Sequence, residues 1–461
     1  MLISSYKDTT FLGRFPYSEG LDEFGMAGKG IIANHDPESW KFNRQFFNQA
    51  ILSSSFNDEA IKWVNKLFKE LEGYWKLLAN STSHNNNLQG NLKDNENNWS
   101  LEIDLSTWAH GFMCDMIIVL TTGDRSYSMA AYYNKISPVK VTRSDTLIED
   151  SEKFIEGINT HVLGVTYFMF LSPFLRHHMP FIKDRIKSIA KNRDYLFERI
   201  DTIIKRRRKE IEETPIGTEL RHDMLTSLII ANTERDVNNV KTFRDDLLRP
   251  MTDAEIRINL LDAFLGGIDT TTNVFCFLTY YVCHSPQVKQ KMLAEIDSIF
   301  PPNVSLDLKH NDLLKLEYCE AIINETVRIM PVVNEFVRYS DRPCEIAGYQ
   351  WDAGTIFHVN LNGIHSHKDY WSDPEIFDPD RFYKKDDSIK EMHKFALVLF
   401  GGGLRICPGR KLAMIELLSL MVLIFGNFDV ELIDMKAPLK TKSGVATMCE
   451  ELPIRVNPRI Y

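Results

Sequence analysis

Phe400-Gly401-Gly402-Gly403-Leu404-Arg405-Ile406-Cys407-Pro408-Gly409 decides how the rest of this sequence is read. Three consecutive glycines carry a large conformational cost, tolerable where backbone must turn sharply or lie against a flat partner. Cys407 follows, then Pro408-Gly409, then a helical run from Arg410 to Phe425. A cysteine just before a helix start faces unpaired N–H groups and the positive end of the dipole, both of which favour thiolate. Such a thiolate can be a nucleophile or a metal ligand. A lone cysteine would read as a buried structural one; the rigid loop and Arg405 beside it favour chemistry.

Composition narrows the classes around that loop. Hydrophobic residues make up 44% and aromatics 11% of 461 residues, ample for a sizeable core and wrong for a disordered or fibrous chain. Lys and Arg number 54 against 63 Asp and Glu, a net −9 with no basic footprint for nucleic acid. The seven cysteines include no C-x-x-C pair, so a disulfide framework or zinc ribbon is not expected and a reducing compartment fits. No twenty-residue apolar span is present, which predicts a soluble or peripheral chain. Leu417–Phe425 reads as a buried core helix, and Val162–Leu175 as either core or a membrane-touching surface.

Most of the chain has helical periodicity, as in Ile61–Leu78 with apolar residues at Ile61, Val64, Leu67, Phe68 and Leu71. Residues 80–98 are rich in Asn and Ser and read as a surface loop. Lys205–Lys209 reads as a solvated helix end. Strands are expected in Glu345–Asn360 and in the tail after Lys442. The fold class is therefore mainly α with a minor β component, and with no repeat or composition break the whole of residues 1–461 reads as a single domain.

Four further segments carry polar groups at telling spacings. Leu260–Asn273 places Gly266-Gly267 inside a helix starting near Thr252, forfeiting about 2 kcal/mol against two alanines. Asp269-Thr270-Thr271 follows, with side chains that compete for backbone hydrogen bonds. Such a helix packs closely on something flat, or on another helix. Glu325 and Arg328 share one helix face at i,i+3, a common pattern by itself. Pro379-Asp380-Arg381-Phe382 could be a turn, and Trp40 and Arg44 stand four apart on a helix face.

Together and in this order, the five segments resemble the cytochrome P450 family of haem-thiolate enzymes. Phe400, Gly403, Arg405, Cys407 and Gly409 satisfy F-x-x-G-x-R-x-C-x-G; Glu325 and Arg328 match E-x-x-R; Arg381 falls in P-x-R-F. Gly266-Gly267-Ile268-Asp269-Thr270-Thr271 matches the A/G-G-x-D/E-T-T of the family's long central helix, and Trp40 and Arg44 match W-x-x-x-R. The resemblance runs from about Gly28 to the C-terminus. It implies haem b, with Cys407 as the axial ligand to iron. Arg405, Trp40, Arg44 and Arg338 would hold the propionates. Phe400 would pack on the sulfur side and Gly403 would shape the loop. Glu325, Arg328 and Arg381 would form a buried network whose disruption costs several kcal/mol. Asp269 and Thr270 would relay protons on the distal side.

The resemblance further implies a monooxygenase that inserts one oxygen atom from O2 into an apolar organic substrate such as a fatty acid, sterol or other lipid. Electrons would come from NADPH through a separate reductase, with Lys41, Arg410 and Lys411 as candidate docking cations. The pocket would be lined near Phe264 and Gly267, by Pro331–Phe336 and by Gly444–Thr447. Only 39 residues precede Trp40, so the usual anchor, hinge, first helix and opening strands are expected to be absent or cut down, as in a truncated gene product. The family's usual place is the cytoplasmic face of the endoplasmic reticulum, whereas a chain without an anchor would be cytoplasmic. Two rivals stand beside this reading: an isomerase or dehydratase of peroxides on the same fold, and a catalytically silent haem-binding protein.

Overall fold

A computed structural model describes residues 10–86, 99–142, 151–236, 249–301, 306–383, 395–444 and 446–459. Its axis is the helix Asp253–His284, hereafter the central helix. Thr252 starts it with the reciprocal bonds of a capping box, its hydroxyl serving the Glu255 N–H while the Glu255 carboxylate accepts from the Thr252 N–H. Leu105–Thr122 crosses it and is buried on nearly every face, because its sequence is apolar all round rather than striped. We call it the crossing helix. Arg410–Asn427 is the third buried helix, enclosed from Ile415 to Gly426 as its apolar run predicted.

Longer amphipathic helices, Ser54–Asn86 and Ile182–Glu213 among them, cover this core. The first runs on to Asn86, so the opening part of the stretch read as loop is helical; residues 87–98 lie outside the described residues. The basic run Lys205–Lys209 is solvated only in part: Lys205 and Lys209 are exposed, while the three arginines between them are engaged. Arg207 is buried against Asp223, Arg206 bonds Asp124 at 2.6 Å and Arg208 bonds Asp253 at 2.7 Å. Charge density read along one helix missed these acids because they come from other segments.

The β component is small and antiparallel. β1 (Leu101–Asp104), β9 (Pro453–Pro458) and β6 (Phe428–Leu432) form one sheet in that spatial order. Ile103 stands opposite Ile454, and Val456 opposite Val430. β2 (Glu335–Tyr339) pairs with β5 (Ile356–Asn360), and Gly13 bridges to Tyr339. β3 (Cys344–Ile346) with β4 (Tyr349–Trp351), and β7 (Lys440–Ser443) with β8 (Thr447–Glu451), make two ribbons. The two regions expected to hold strands do so; β1, β2 and β6 are additional. Among the described residues, no helix is long and apolar enough to cross a membrane.

Candidate active site

The glycine loop is built as its sequence demands. Gly401 and Gly403 sit at φ of 75° and 63°, the left-handed region that favours glycine, while Gly402 is extended. The Cys407 N–H closes the loop onto the Phe400 carbonyl at 2.8 Å. Gly409 then caps the helix beginning at Arg410. Cys407 therefore hangs two residues before a helix N-terminus. Burial pushes its thiol up, opposed by the Gly409 and Arg410 N–H groups and by Arg44 and Arg14. Expected thiolate stabilisation is present, but desolvation outweighs it in the unliganded thiol. A coordinating metal ion reverses that balance by replacing the proton.

The loop's Arg405 is buried, and its guanidinium is spread over three carbonyls: Nε to Leu12 at 2.7 Å, Nη1 to Ile31 at 2.7 Å and Nη2 to Asn34 at 3.1 Å. Trp40 lies beneath it, 4.3 Å from guanidinium carbon to ring centroid, and donates its indole N–H to the Ile31 carbonyl at 3.2 Å. Arg44 reaches the Ile406 carbonyl inside the loop. Arg338, buried on β2, bonds the Val337 carbonyl at 2.9 Å. The structure thus brings all four predicted residues to one wall, where Arg405 and Trp40 fasten the segment 12–34.

Arg14 completes this wall and was not singled out from sequence, since nothing within a single turn or helix marks it. Burial pulls its guanidinium down, and Asp262 and Cys407 are the charges that pull it back. Burial likewise lowers Arg44 and Arg338 to about 10, and Arg405 is lowered by burial and then by Arg14, Arg338 and Arg44. Asp262 is the carboxylate among them. Its own pKa is raised by burial to about 6 although it accepts from the Ile31 and Ile32 N–H groups at 2.6 and 3.1 Å. Among the described residues, two buried and two half-buried guanidinium groups gather around one carboxyl, which suits a ligand that brings anionic groups of its own.

The central helix adjoins this wall through Asp262. A Cβ added at Gly266 would meet no atom within 4 Å, and Gly266 keeps solvent-accessible surface in the middle of a buried helix. Gly267 is different: its Cβ would fall 2.7 Å from Ile117 Cδ1 of the crossing helix. The glycine pair therefore has two roles. Gly267 lets two helices approach, and Gly266, one turn after Asp262, leaves the helix surface there uncovered. Thr270 donates its hydroxyl to the Gly266 carbonyl at 2.7 Å, and Asn273 its amide to the Asp269 carbonyl at 2.6 Å. Asp269 turns its carboxylate towards the crossing helix, where His110 Nε2 lies 3.2 Å from Oδ1. His110 too was missed, because its partner is distant in sequence. A thiol, a wall of guanidinium groups and a bare helix face fit a flat macrocycle bearing iron and two carboxylates.

Glu325 and Arg328 form a closed bidentate pair, both bonds 2.7 Å, on the buried face of Glu317–Ile329. Arg328 also donates to the carbonyls of His365, Pro374 and Ile376 at 2.7–3.1 Å, and Arg381 Nε stands 3.5 Å from Glu325. The predicted trio is assembled, with Arg328 the hub that binds the segment before the glycine loop. On the pocket side, Asn334 bonds Thr447 at 3.0 Å and Glu335 faces His358 at 3.0 Å on the outer ribbon. Both polar exceptions in that segment are therefore already partnered.

Comparison with known proteins agrees with this geometry. The cytochrome P450 family model matches residues 5–458. Steroid 21-hydroxylase of Sus scrofa is 27% identical over 355 residues, which is 75% of this chain and 64% of that protein. Cytochrome P450 3A7 of Homo sapiens is 25% identical over 312 residues, 67% of this chain and 57% of that one. The chain spans about half the length of the first curated relatives it matches. Retinoic acid-bound cyanobacterial CYP120A1 shares the fold at a TM-score of 0.71 and 18% identity, covering 98% of this chain and 86% of that structure. The cytochrome P450 CYP102L1 does so at 0.71 and 19%, covering 96% and 85%. With a family match running almost from end to end, the chain belongs to the cytochrome P450 family.

Proposed function

We propose that this protein is a haem-thiolate monooxygenase that inserts one oxygen atom from O2 into an apolar organic substrate, with electrons supplied by a separate NADPH-dependent reductase. The observation that carries the reading is the Cys407 loop with Arg14, Arg44 and Arg405 gathered beside it, next to a central helix whose Asp262 faces those arginines and whose Gly266, one turn on, is uncovered. When bound, the haem supplies the redox chemistry of oxygen activation. Cys407 is the iron ligand in this reading. Arg14, Arg44, Arg338 and Arg405 hold the propionates, and Trp40 props Arg405 from below. Gly403 and Phe400 shape the thiolate loop.

Thr270 and Asp269 hold and pass protons on the distal side. Their retention disfavours the peroxide isomerase or dehydratase, which consumes no dioxygen and has no use for a proton relay. Phe264, buried 6.0 Å from Phe154, and the mutually bonded Asn334 and Thr447 leave an apolar lining suited to a lipid-like substrate. Arg410 and Lys411 are exposed beside the loop and suit an acidic reductase, whereas Lys41 is tied to Glu38 at 2.9 Å. Exposed Phe170, Phe174 and Phe181 suit peripheral contact with a membrane of the endoplasmic reticulum type.

The test is the difference spectrum of the dithionite-reduced chain with and without carbon monoxide. A strongly red-shifted Soret band, lost in Cys407→Ser, is the expected result. Absence of haem, or a band typical of a neutral or lost thiolate in the unmodified chain, would overturn the reading.

A further inference from the structure

His110, Cys114 and Asp269, on two helices, form a short chain of contacts of which the proposed function uses only Asp269. His110 and Cys114 stand one turn apart on the crossing helix, with His110 Nδ1 3.6 Å from the Cys114 sulfur. The other ring nitrogen, Nε2, is 3.2 Å from Asp269 Oδ1 on the central helix. Gly267 packed on Ile117 brings the two helices close enough for the contact. The imidazole therefore has a neighbour at each nitrogen, the Cys114 sulfur at Nδ1 and the Asp269 carboxylate within ion-pair distance of Nε2.

We propose that His110 is a positioning residue for proton delivery, holding the Asp269 carboxylate at the interface of the crossing and central helices and resupplying its proton. The inference rests on the monooxygenase reading above. Cys114 is not a nucleophile here: it is fully buried and burial pushes its thiol up, with His110 pulling it back. The imidazole lies well above its ordinary pKa. The Cys114 sulfur is the largest contribution and Asp269 adds a hydrogen bond and its charge, together outweighing desolvation. The direction of that shift favours the protonated imidazole of His110. Its side chain is 30% exposed, so it can be recharged from water.

The balance is simple. Inserting one oxygen atom of O2 consumes two electrons and two protons, and the second atom leaves as water. Each proton passes from His110 to Asp269 and onward past Thr270, and His110 takes another from solvent. Neighbouring groups leave Asp269 as the acid on this face. The hydroxyls of Thr270 and Thr272 are donated to the Gly266 and Ile268 carbonyls, and the Asn273 amide to that of Asp269. Asp115, the other acid on the crossing helix at this level, turns instead to Ser126 and Ser128.

Two measurements on the haem-containing full chain test this. First, the ring signals of 13C-labelled histidine are titrated, His110 being assigned by its loss in His110→Gln. Asp269→Asn should lower the proton affinity of His110 at least tenfold. An unchanged titration would overturn the proposal, and this arm reads the pair even in a protein without activity. Second, hydrogen peroxide released per NADPH consumed is measured with a microsomal diflavin reductase as electron source and lauric acid as apolar probe. His110→Phe should raise the ratio threefold or more, with His110→Lys restoring it in part; an unchanged ratio in His110→Phe would overturn the proposal. Failure of the carbon monoxide spectrum would condemn the haem-thiolate reading instead, whatever the titration gives.

Discussion

Glu416 is a carboxyl group placed where a carboxylate cannot be accommodated cheaply. It is buried within the helix Arg410–Asn427, one of its oxygens has no hydrogen-bond partner, and burial raises its pKa to about 8 with Thr271 partly opposing. The folded state thus keeps a proton that the unfolded chain releases near pH 4.3. The sign follows directly: the contribution to stability is fully present below the unfolded value and is lost as pH rises through about 8. Glu416→Gln should flatten the fall in melting temperature between pH 5 and pH 8, roughly the window set by those two values. A slope identical to that of the parent chain would show that another group carries it. At this scale the sequence was most readable where chemistry is packed into a short motif: Cys407, Arg405, Glu325, Arg328, Trp40 and Arg44 were all visible. Arg14, His110 and Asp262 were not, because each acquires its meaning from a partner on another segment, and single-chain spacing carries no trace of such pairs.

The central helix shows what an element can reveal and conceal. Its capping box at Thr252 and its glycine pair were legible from propensity alone. The separate tasks of the two glycines were not, since they depend on which side faces Ile117. They lead to opposite outcomes for the same substitution. Gly266→Ala meets nothing within 4 Å and should stabilise the helix by up to about 1 kcal/mol. Gly267→Ala drives a methyl into Ile117 and should destabilise by about 1–3 kcal/mol in chemical denaturation. Equal effects would mean that the helix crossing is looser than its geometry. Strands were read less completely for a related reason. β1 is four residues long and exists through β9, whose partners Val456 and Ile454 lie some 350 positions away from Leu101 and Ile103. Local alternation over four residues cannot announce a pairing of that range.

At the scale of the molecule, the stretch from Leu163 to Phe181 stands out among the described residues for the aromatic side chains it exposes. Phe170, Phe174 and Phe181 are 63%, 64% and 89% exposed, with Leu163 and Met179 alongside. The sequence left this stretch open between core and membrane surface; the structure buries Phe168 and exposes its neighbours, because Pro173 breaks the helix and turns the chain outward. Replacing the three phenylalanines by serine should lower co-sedimentation with phosphatidylcholine vesicles at least tenfold, while leaving the carbon monoxide spectrum intact. Equal sedimentation would place the contact elsewhere.

Arg405 has a consequence in time as well as space. Its three carbonyl partners precede it by 371 to 393 residues. At a synthesis rate of roughly 5–20 residues per second, Leu12 waits about 20–80 s for the side chain that will fasten it. Until Arg405 has left the ribosome, neither the thiolate loop nor the segment it anchors can adopt its final form. The site around Cys407 is therefore assembled late, and through that interval the segment 12–34 lacks the side chain that fastens it.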